Sequence, residues 1–278
     1  MRLIQKVMLD ARISGTGDRV ATGVDVVGDI AILKLQDLSS ADKKRVAKAL
    51  MKEVRSVKCV YEQEGGIEGE FRLRRLKHLV GEKRTLTHHK ENGCVFKVDV
   101  AKCYFSPRLS TERLRLAGLV RPKECVLNMF AGVGPFSIEI AKKAGARVTS
   151  CEINEYACEL HTQNNSLNKV ADRVTVINAD AGELSRGGGR EKYDRILMPH
   201  PSQADKYLPV ALSLVKGRGV IHYYRHILGR DEEEASAALL KELRELLPPR
   251  FRFETRRVRE VGPRWVEMVA DVRLPRAG

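Results

Sequence analysis

From Val126 onward, short apolar runs alternate with longer segments in which apolar residues recur three or four positions apart. The short runs predict strands at 126–129, 147–151, 174–178, 195–198 and 219–224. The longer segments predict helices at 137–144, 156–167, 204–214 and 232–246. Strands that alternate with helices form a parallel, doubly wound sheet. Residues 252–274 instead predict two strands joined at Gly262-Pro263, and therefore an antiparallel hairpin that closes the sheet.

The first part of the chain has a different pattern, with short strands and turns. Residues 27–35 predict a strand, and residues 39–54 predict a helix with a serine at its N-cap. Residues 85–100 predict a hairpin, because an Asn-Gly pair supplies the positive φ that a tight turn requires. The fold class that we predict is α/β: a small α+β domain over 1–115, followed by a domain with a Rossmann-like sheet over 116–278.

The composition is typical of a soluble, globular protein, with 43% apolar and 31% charged residues among 278. No apolar run approaches the roughly 20 residues that span a bilayer. The first residues have mixed charge and do not resemble a signal peptide. The six cysteines form no Cys-x-x-Cys pair, so we expect free thiols in a reducing cytoplasm, and no metal site.

The chain carries a net charge of +14. Much of this excess lies between Glu68 and Lys123, where 14 Lys and Arg residues stand against 6 Asp and Glu. A concentrated basic stretch is typical of a surface that contacts the phosphate backbone of a nucleic acid. The same charges also suit a solvated basic face without a ligand, so charge alone leaves both interpretations open.

The sequence VLNMFAGVGP places Gly132 and Gly134 directly after a predicted strand. Glycine lets another group approach the backbone closely, and such loops commonly hold nucleotide-like ligands. A dinucleotide-binding loop would have a third glycine where Ser137 stands. Glu152 ends the second strand, where a carboxylate suits the hydroxyls of a ribose, and Asp180 ends the third, where it suits the amine of adenine. Together with the terminal hairpin, these positions favour S-adenosylmethionine over NAD.

Longer motifs resemble one family. The stretch VFKVDVAKCYFSPRLSTERLRLAGLV, followed by VLNMFAGVGPFSIEIAKKAGARVTSCEIN, is similar to the archaeal and eukaryotic tRNA (guanine-37-N1)-methyltransferases. The resemblance continues through SLNKVADRVTVINADA, GVIHYY and VGPRWVEMVADVRL, and covers roughly residues 27–275. It implies a class I methyltransferase sheet with S-adenosylmethionine as cofactor. It also implies the anticodon stem-loop of tRNA as partner, with the base 3′ of the anticodon splayed out toward the methyl donor.

The resemblance also implies roles for individual residues. Glu112, in the TER motif, would remove the proton from guanine N1, while Arg113 and Arg72 would hold the guanine. The chemistry agrees, because N1 is a poor nucleophile until its proton leaves and an arginine stabilises the negative charge that develops at O6. Tyr104 would lie along the cofactor. Pro201 would belong to the catalytic set as the proline that ends the motif after the fourth strand.

The predicted cofactor site combines the glycine loop with residues at the ends of the strands and in the SPR motif. Its members are Tyr104, Arg108, Phe130, Ala131, Gly132, Gly134, Glu152, Asn154, Asp180, Ala181 and Pro199. We expect a monomer that needs no metal and contacts no membrane.

The chain departs from the family in three places. Asn128 stands where the methyltransferases usually have Asp, and Pro199 stands where they have an asparagine whose amide helps to hold the target base. About 26 residues precede the shared region, too few for the extra N-terminal domain of many of these enzymes. The aminocarboxypropyltransferases of the wybutosine pathway also lack that asparagine and that domain. They and a methyltransferase of the same pathway therefore stay as alternatives, as do a methyltransferase for another RNA position and a non-catalytic RNA-binding protein.

Overall fold

The computed structural model describes residues 3–11, 13, 21–185 and 192–275. The chain divides into two compact units, Met1–Arg108 and Leu109–Gly278. The elements of the first unit are α1 (Leu3–Asp10), β1 (Ala21–Val27), β2 (Ile30–Leu35), α2 (Ser40–Glu53), β3 (Cys59–Glu68), β4 (Leu73–Gly81), β5 (Leu86–Glu91) and β6 (Cys94–Asp99).

The elements of the second unit follow a 3-10 turn at Pro107–Leu109. They are α3 (Ser110–Leu119), β7 (Cys125–Asn128), α4 (Pro135–Ala144), β8 (Arg147–Glu152), α5 (Glu155–Leu167), β9 (Val174–Asn178), β10 (Tyr193–Met198), α6 (Ala204–Leu214), β11 (Val215–Leu228), α7 (Glu232–Leu246), β12 (Arg252–Gly262) and β13 (Trp265–Arg273).

The first unit contains a four-stranded sheet with the order β1-β2-β3-β4 and a two-stranded sheet of β5 and β6. β2 and β3 run parallel because α2 connects them, and the other neighbours are antiparallel. The predicted helix is confirmed: Ser39 caps it by accepting a hydrogen bond from Asp42 N, and Leu50 faces the core. The predicted hairpin is confirmed as well, with Asn92 and Gly93 at positive φ.

The prediction of one strand over 27–35 is wrong. Those residues cover the end of β1, a two-residue turn and β2, because Gly28 adopts a φ of 57° and donates its amide to His89 Nδ1. A Cβ atom at Gly28 would lie 2.2 Å from Thr87 Oγ1, so the turn requires glycine. The sequence pattern also missed β3 and β4, because charged residues and the Gly65-Gly66 pair interrupt their alternation.

The second unit is built on a seven-stranded sheet with the order β12-β13-β11-β10-β7-β8-β9. The strands from β11 to β9 are parallel, and β12 and β13 form an antiparallel hairpin at one edge. This confirms the predicted fold class. The carboxyl ends of β7, β8, β9 and β10 meet at the same edge of the sheet, which is where doubly wound sheets bind their ligands.

The boundary between the compact units differs from the predicted one at residue 115. It falls between Arg108 and Leu109, because α3 packs against α4 of the second unit. The apolar positions Leu116 and Ala117 of α3 are buried. Glu112, predicted as the base, therefore belongs to the unit that contains the seven-stranded sheet.

The core of the second unit takes one fully buried side chain from each of four adjacent strands: Leu127, Ile196, Ile221 and Met268. All six cysteines are free thiols. Within the described part of the chain, no group of three or more His, Cys, Asp or Glu residues is placed to hold a metal ion. None of the helices described combines the length and the apolarity that crossing a bilayer requires.

Candidate active site

Uncharged side chains help to fix the loop between β7 and α4. Asn128 is fully buried at the end of β7. Its amide donates to Ser137 Oγ at 3.1 Å, and its carbonyl oxygen accepts from Phe130 N at 3.3 Å. Ser150 Oγ, on the neighbouring strand β8, donates to the same Ser137 Oγ at 2.8 Å. Asn128 and Ser137 therefore join the loop to α4 and β8.

The two glycines of the loop are required by its geometry. Gly132 and Gly134 have φ angles of 55° and 91°, and a Cβ atom on Gly134 would lie 2.2 Å from the His161 ring. His161, on α5, is completely buried. Among the described residues, neither of its ring nitrogens has a hydrogen-bond partner. Burial lowers the pKa of His161 to about 3, so the loop packs on a neutral imidazole. Ala131, between the glycines and β7, is buried as well.

Glu152, at the end of β8, is bound by backbone amides. Its Oε2 accepts from Gly132 N at 2.7 Å, and its Oε1 accepts from Asn154 N at 2.9 Å. Burial raises the pKa of the Glu152 carboxyl above its usual value, and hydrogen bonds from the backbone amides of Asn154, Gly132 and Ile153 act in the opposite direction. Asn154 also caps α5, because its side chain accepts from Ala157 N. The structure therefore brings three of the predicted cofactor residues into direct contact.

Asp180 lies just after β9 and belongs to an aromatic cluster at the carboxyl edge of the sheet. Its Oδ1 accepts from an amide of the 3-10 turn Ala181–Glu183 at 2.6 Å, and its Oδ2 accepts from the Tyr207 hydroxyl at 3.4 Å. The Phe130 ring centroid lies 5.1 Å from the centroids of both Tyr207 and His200. Sequence reasoning missed Tyr207 and His200, because it considered the segment after β10 only for its prolines.

The segment after β10 forms a tight turn, in which His200 N donates to Met198 O at 2.8 Å. Pro199 is half-buried, whereas Pro201 is buried and its carbonyl oxygen accepts from Arg225 Nη1 at 3.4 Å. Proline has no N–H, so neither of these residues can donate a hydrogen bond to a base. The side-chain amide that the resemblance would imply at this position is therefore absent from Pro199.

Glu112, on α3, is only 5% exposed. Arg115, one turn later, binds both of its oxygens: the Nε–Oε2 and Nη2–Oε1 distances are each 2.7 Å. Tyr224 on β11 donates its hydroxyl to Oε1 at 2.6 Å. Burial, followed by the charge of Glu112, raises the pKa of Tyr224 well above its usual value, so this hydroxyl keeps its proton. Contacts with described residues fill three of about four acceptor positions on the carboxylate and leave one on Oε2.

A chain of buried polar side chains continues from Arg115. Its Nη1 donates to Asp271 Oδ2 at 3.3 Å, and Asp271 Oδ1 lies 2.6 Å from His222 Nδ1. His222 Nε2 lies 2.7 Å from Arg195 Nη1, and Arg195 Nε donates to Glu124 Oε2 at 3.0 Å. Burial lowers the pKa of His222, although Asp271 opposes this. Burial alone would raise the pKa of Asp271, but His222 and Arg115 hold it well below its usual range.

Arg113 points to the other side of α3. Its side chain is 1% exposed, and its Nε lies 3.5 Å from Glu139 Oε1 on α4. Its guanidinium carbon lies 5.8 Å from the centroid of the Phe136 ring. Contact between Arg113 and guanine stays a prediction, and the structure gives this side chain a buried partner within the protein instead.

Three predicted site residues belong to the first unit. The Arg72 guanidinium lies 4.3 Å from the centroid of the Tyr104 ring, a cation–π contact. Arg108 Nε donates to Asp25 Oδ1 at 2.6 Å, and Arg74 Nη1 lies 3.0 Å from Asp25 Oδ2. Burial opposes ionisation of Asp25, yet the charges of Arg74 and Arg108 lower its pKa.

The parallel sheet with its terminal hairpin, the glycine loop after β7 and the acids after β8 and β9 together define a class I methyltransferase domain. A family model described as the TRM5/TYW2 methyltransferase domain matches residues 87–245. A second model, described as the TYW2 N-terminal domain, matches residues 6–85. The chain belongs to the TRM5/TYW2 methyltransferase family.

Two relatives of different activity are similar to this chain. The tRNA (guanine(37)-N(1))-methyltransferase Trm5b of Pyrococcus abyssi is 43% identical over 203 residues, which are 73% of this chain and 59% of that protein. The tRNA 4-demethylwyosine(37)-methyltransferase Taw21 of Saccharolobus solfataricus is 35% identical over 253 residues, which are 90% of this chain and 93% of that protein. This chain thus spans about three-fifths of the length of the Trm5b relative.

Solved structures agree with this assignment. A complex of aTrm5 with tRNALeu superposes with a TM-score of 0.84 at 34% identity, covering 99% of this chain and 78% of the other. The structure of M. jannaschii TYW2 in complex with AdoMet has a TM-score of 0.65 at 27% identity, covering 92% of this chain and all of the other.

Proposed function

We propose that this protein transfers a methyl group from S-adenosylmethionine to N1 of guanine at position 37 of tRNA. The observation that carries the proposal is the setting of Glu112, a buried carboxylate with one acceptor position left open. Membership of the TRM5/TYW2 family, the similarity to Trm5b and the tRNA complex of a structural relative support the choice of substrate.

The residues at the carboxyl edge of the sheet fit the cofactor. Backbone amides orient the Glu152 carboxylate, which would accept hydrogen bonds from the ribose hydroxyls. Phe130 and Tyr207 offer aromatic surface to an adenine, and Asp180 offers acceptors to its amine. The bound cofactor would supply an electrophilic methyl carbon on a sulfonium sulfur.

Glu112 would act as general base. Guanine N1–H needs an acceptor within about 2.6–3.2 Å, and the open position on Oε2 can serve as one. Arg115 and Tyr224 prevent the carboxylate from rotating, so the proton meets an acceptor that is already oriented. As the proton leaves N1, its electron pair becomes available to the methyl carbon.

The negative charge that develops toward O6 requires a cation. Arg72 is the candidate that the family resemblance implies for this role. Arg113 is engaged with Glu139, so we assign it the packing of α3 against α4, the helix that follows the cofactor loop.

Single-turnover methylation tests the proposal. We expect a tRNA transcript with G at position 37 to react, inosine at that position to react because it keeps N1–H and O6, and adenine to remain unmodified. Mass analysis of the nucleotide should show a single added methyl group. An aminocarboxypropyl adduct, or equal reaction with adenine, would contradict the proposal.

A methyltransferase for 4-demethylwyosine at the same position is the second candidate. Two observations favour it: Pro199 removes the amide expected to hold guanine, and the similarity to Taw21 extends over almost the full length of both chains. Competition between tRNA with guanine and tRNA with 4-demethylwyosine at position 37 separates the two. The first proposal requires the larger kcat/KM for guanine, and the second requires the reverse.

A further inference from the structure

The proton positions in the buried chain behind Glu112 follow from its geometry. A guanidinium can only donate hydrogen bonds, so His222 Nε2 accepts from Arg195. The proton of the imidazole therefore sits on Nδ1 and is donated to Asp271. Arg195 is itself held by Glu124 and by Leu119 O at 3.2 Å. Both nitrogens of His222 are thus engaged, and the ring cannot take up a proton unless Arg195 moves away.

The charges of this chain do not balance. Three carboxylates and two guanidiniums surround a neutral imidazole: Glu112, Asp271, Glu124, Arg115, Arg195 and His222. Tyr224, which also faces Glu112, is a neutral donor. On the α4 side of α3, Arg113 and Glu139 compensate each other. Counted over the described residues, the network therefore carries one excess negative charge in a region from which water is largely excluded.

We propose that Asp271 is a positioning residue for the transfer reaction and acts on Glu112 through Arg115. The inference rests on the proposed function. Asp271 binds Nη1 of Arg115, which turns the Nε–Nη2 edge of the guanidinium toward Glu112. Its charge also leaves the network one proton short of neutrality, so a proton taken up by Glu112 neutralises the network. His222 cannot compete for that proton because Arg195 occupies its Nε2.

The N1–H proton passes to Glu112, and the N1 electron pair forms the bond to the methyl carbon. The electron pair of the broken carbon–sulfur bond stays on sulfur. The proton later leaves Glu112 to solvent, which restores the excess negative charge of the network.

The replacement Asp271→Asn tests the inference, because it keeps the size of the side chain and removes its charge. We expect single-turnover methylation near neutral pH to slow by about 10- to 100-fold, the effect of one charge at close range in a partly screened interior. The affinities for cofactor and tRNA should stay within about twofold. The rate of the variant should rise more steeply with pH than that of the wild type, because a weakened base depends more on guanine that has already ionised.

Asp194→Asn is the matched control. Asp194 accepts from Cys125 N and pairs with Lys216 at 2.9 Å, so the same chemical change is made at an ion-paired aspartate outside the network. We expect the wild-type rate and the wild-type pH profile from this variant. A slowed control with the same steepened profile would overturn the inference, since the effect would not depend on the network.

The double variant Glu112→Gln/Asp271→Asn completes the test. If Asp271 acts through Glu112, the double variant should react only a little more slowly than the Glu112→Gln variant alone. Two outcomes would overturn this inference and leave the proposed function intact. In the first, the rate reductions of the two single variants multiply in the double variant. In the second, the Asp271→Asn variant reacts at the wild-type rate while the Glu112→Gln variant is slow. If the Glu112→Gln variant reacted at the wild-type rate, Glu112 would not be the base, and both proposals would be wrong.

Nitrogen-15 NMR of the histidine rings gives a measurement without substrate. The His222 signals, assigned by their loss in His222→Gln, should show a neutral ring protonated at Nδ1 near neutral pH. A charged ring or a proton on Nε2 would overturn the inference, because Asp271 would then no longer leave the excess charge to Glu112.

Discussion

The two carboxylates of the proposed active site are held in opposite ways. Glu152 is bound by backbone amides, from Gly132 and from Asn154, which lie within 20 residues of it. Glu112 is bound by side chains, and the Tyr224 hydroxyl comes from a residue 112 positions away. The position of Glu152 thus depends on the conformation of a short loop, whereas the position of Glu112 depends on how α3, β11 and β13 pack together. Binding and proton transfer should therefore respond to different substitutions.

The largest expected effect is on the reaction rate, from a substitution of Glu112, the carboxylate that is bound by side chains. Glu112→Gln keeps the shape and one hydrogen-bond acceptor but cannot take up the proton, so single-turnover methylation should slow by about 10²–10⁴-fold. Rapid-quench kinetics measures this. Glu155→Gln, an exposed acid on α5, is the control. If the cofactor affinity fell as much as the rate, the separation between the two carboxylates would fail.

The backbone-held carboxylate should show the reverse. Glu152→Ala removes the acceptors proposed for the ribose, and the cofactor should bind more weakly by about 1.5–3 kcal/mol, the value of charge-assisted hydrogen bonds. Titration calorimetry measures this, with Glu155→Ala as the control. Unchanged affinity would mean that the cofactor lies elsewhere.

The loop beside Glu152 packs on a neutral histidine, so the stability of the folded protein should fall at acidic pH. His161 has a folded-state pKa of about 3, below its ordinary value of 6.5, so the unfolded chain binds the proton more readily. Stability is then lost as the pH falls below about 6.5, by about 2 kcal/mol between about pH 7.5 and pH 5. Urea unfolding measures the free energy of unfolding at each pH. The His161→Leu variant should not show this acid-dependent decrease, whereas the His88→Leu variant, changed at an exposed histidine, should still show it. Parallel pH profiles for all three proteins would contradict the assignment.

The smallest effect concerns the exposed charges of the first unit, which lie in neither carboxylate site. Arg75 and Lys77 of β4 are exposed, unlike Arg74, which is buried against Asp25. If both contact tRNA phosphates, Arg75→Ala/Lys77→Ala should reduce the slope of log K against log salt by up to about 1.5. Lys44→Ala/Lys48→Ala on α2 removes the same charge as a control. Equal slopes for the two double variants would show that only total charge matters.

The residues of the backbone-held site could be proposed from the sequence because their determinants are local. Glycines with positive φ, a strand that ends at Glu152 and an acid after β9 can be recognised within short windows. The surroundings of Glu112 could not be predicted in the same way. Glu112 and Arg113 are adjacent charged residues, and only the packing of α3 decides that one meets Tyr224 and the other meets α4. His222 meets Asp271 because the register of β11 against β13 places them opposite each other, which no local pattern encodes.

That register has a consequence for how this chemistry can be inherited. The motif SPRLSTER is contiguous, but Tyr224 lies 112 positions and Asp271 lies 156 positions from the residues that they contact on α3. A recombination event or a designed chimera that moved only the motif would transfer the proposed base without the groups that orient it. The smallest module that can be exchanged between relatives is therefore discontinuous: α3 together with the paired strands β11 and β13.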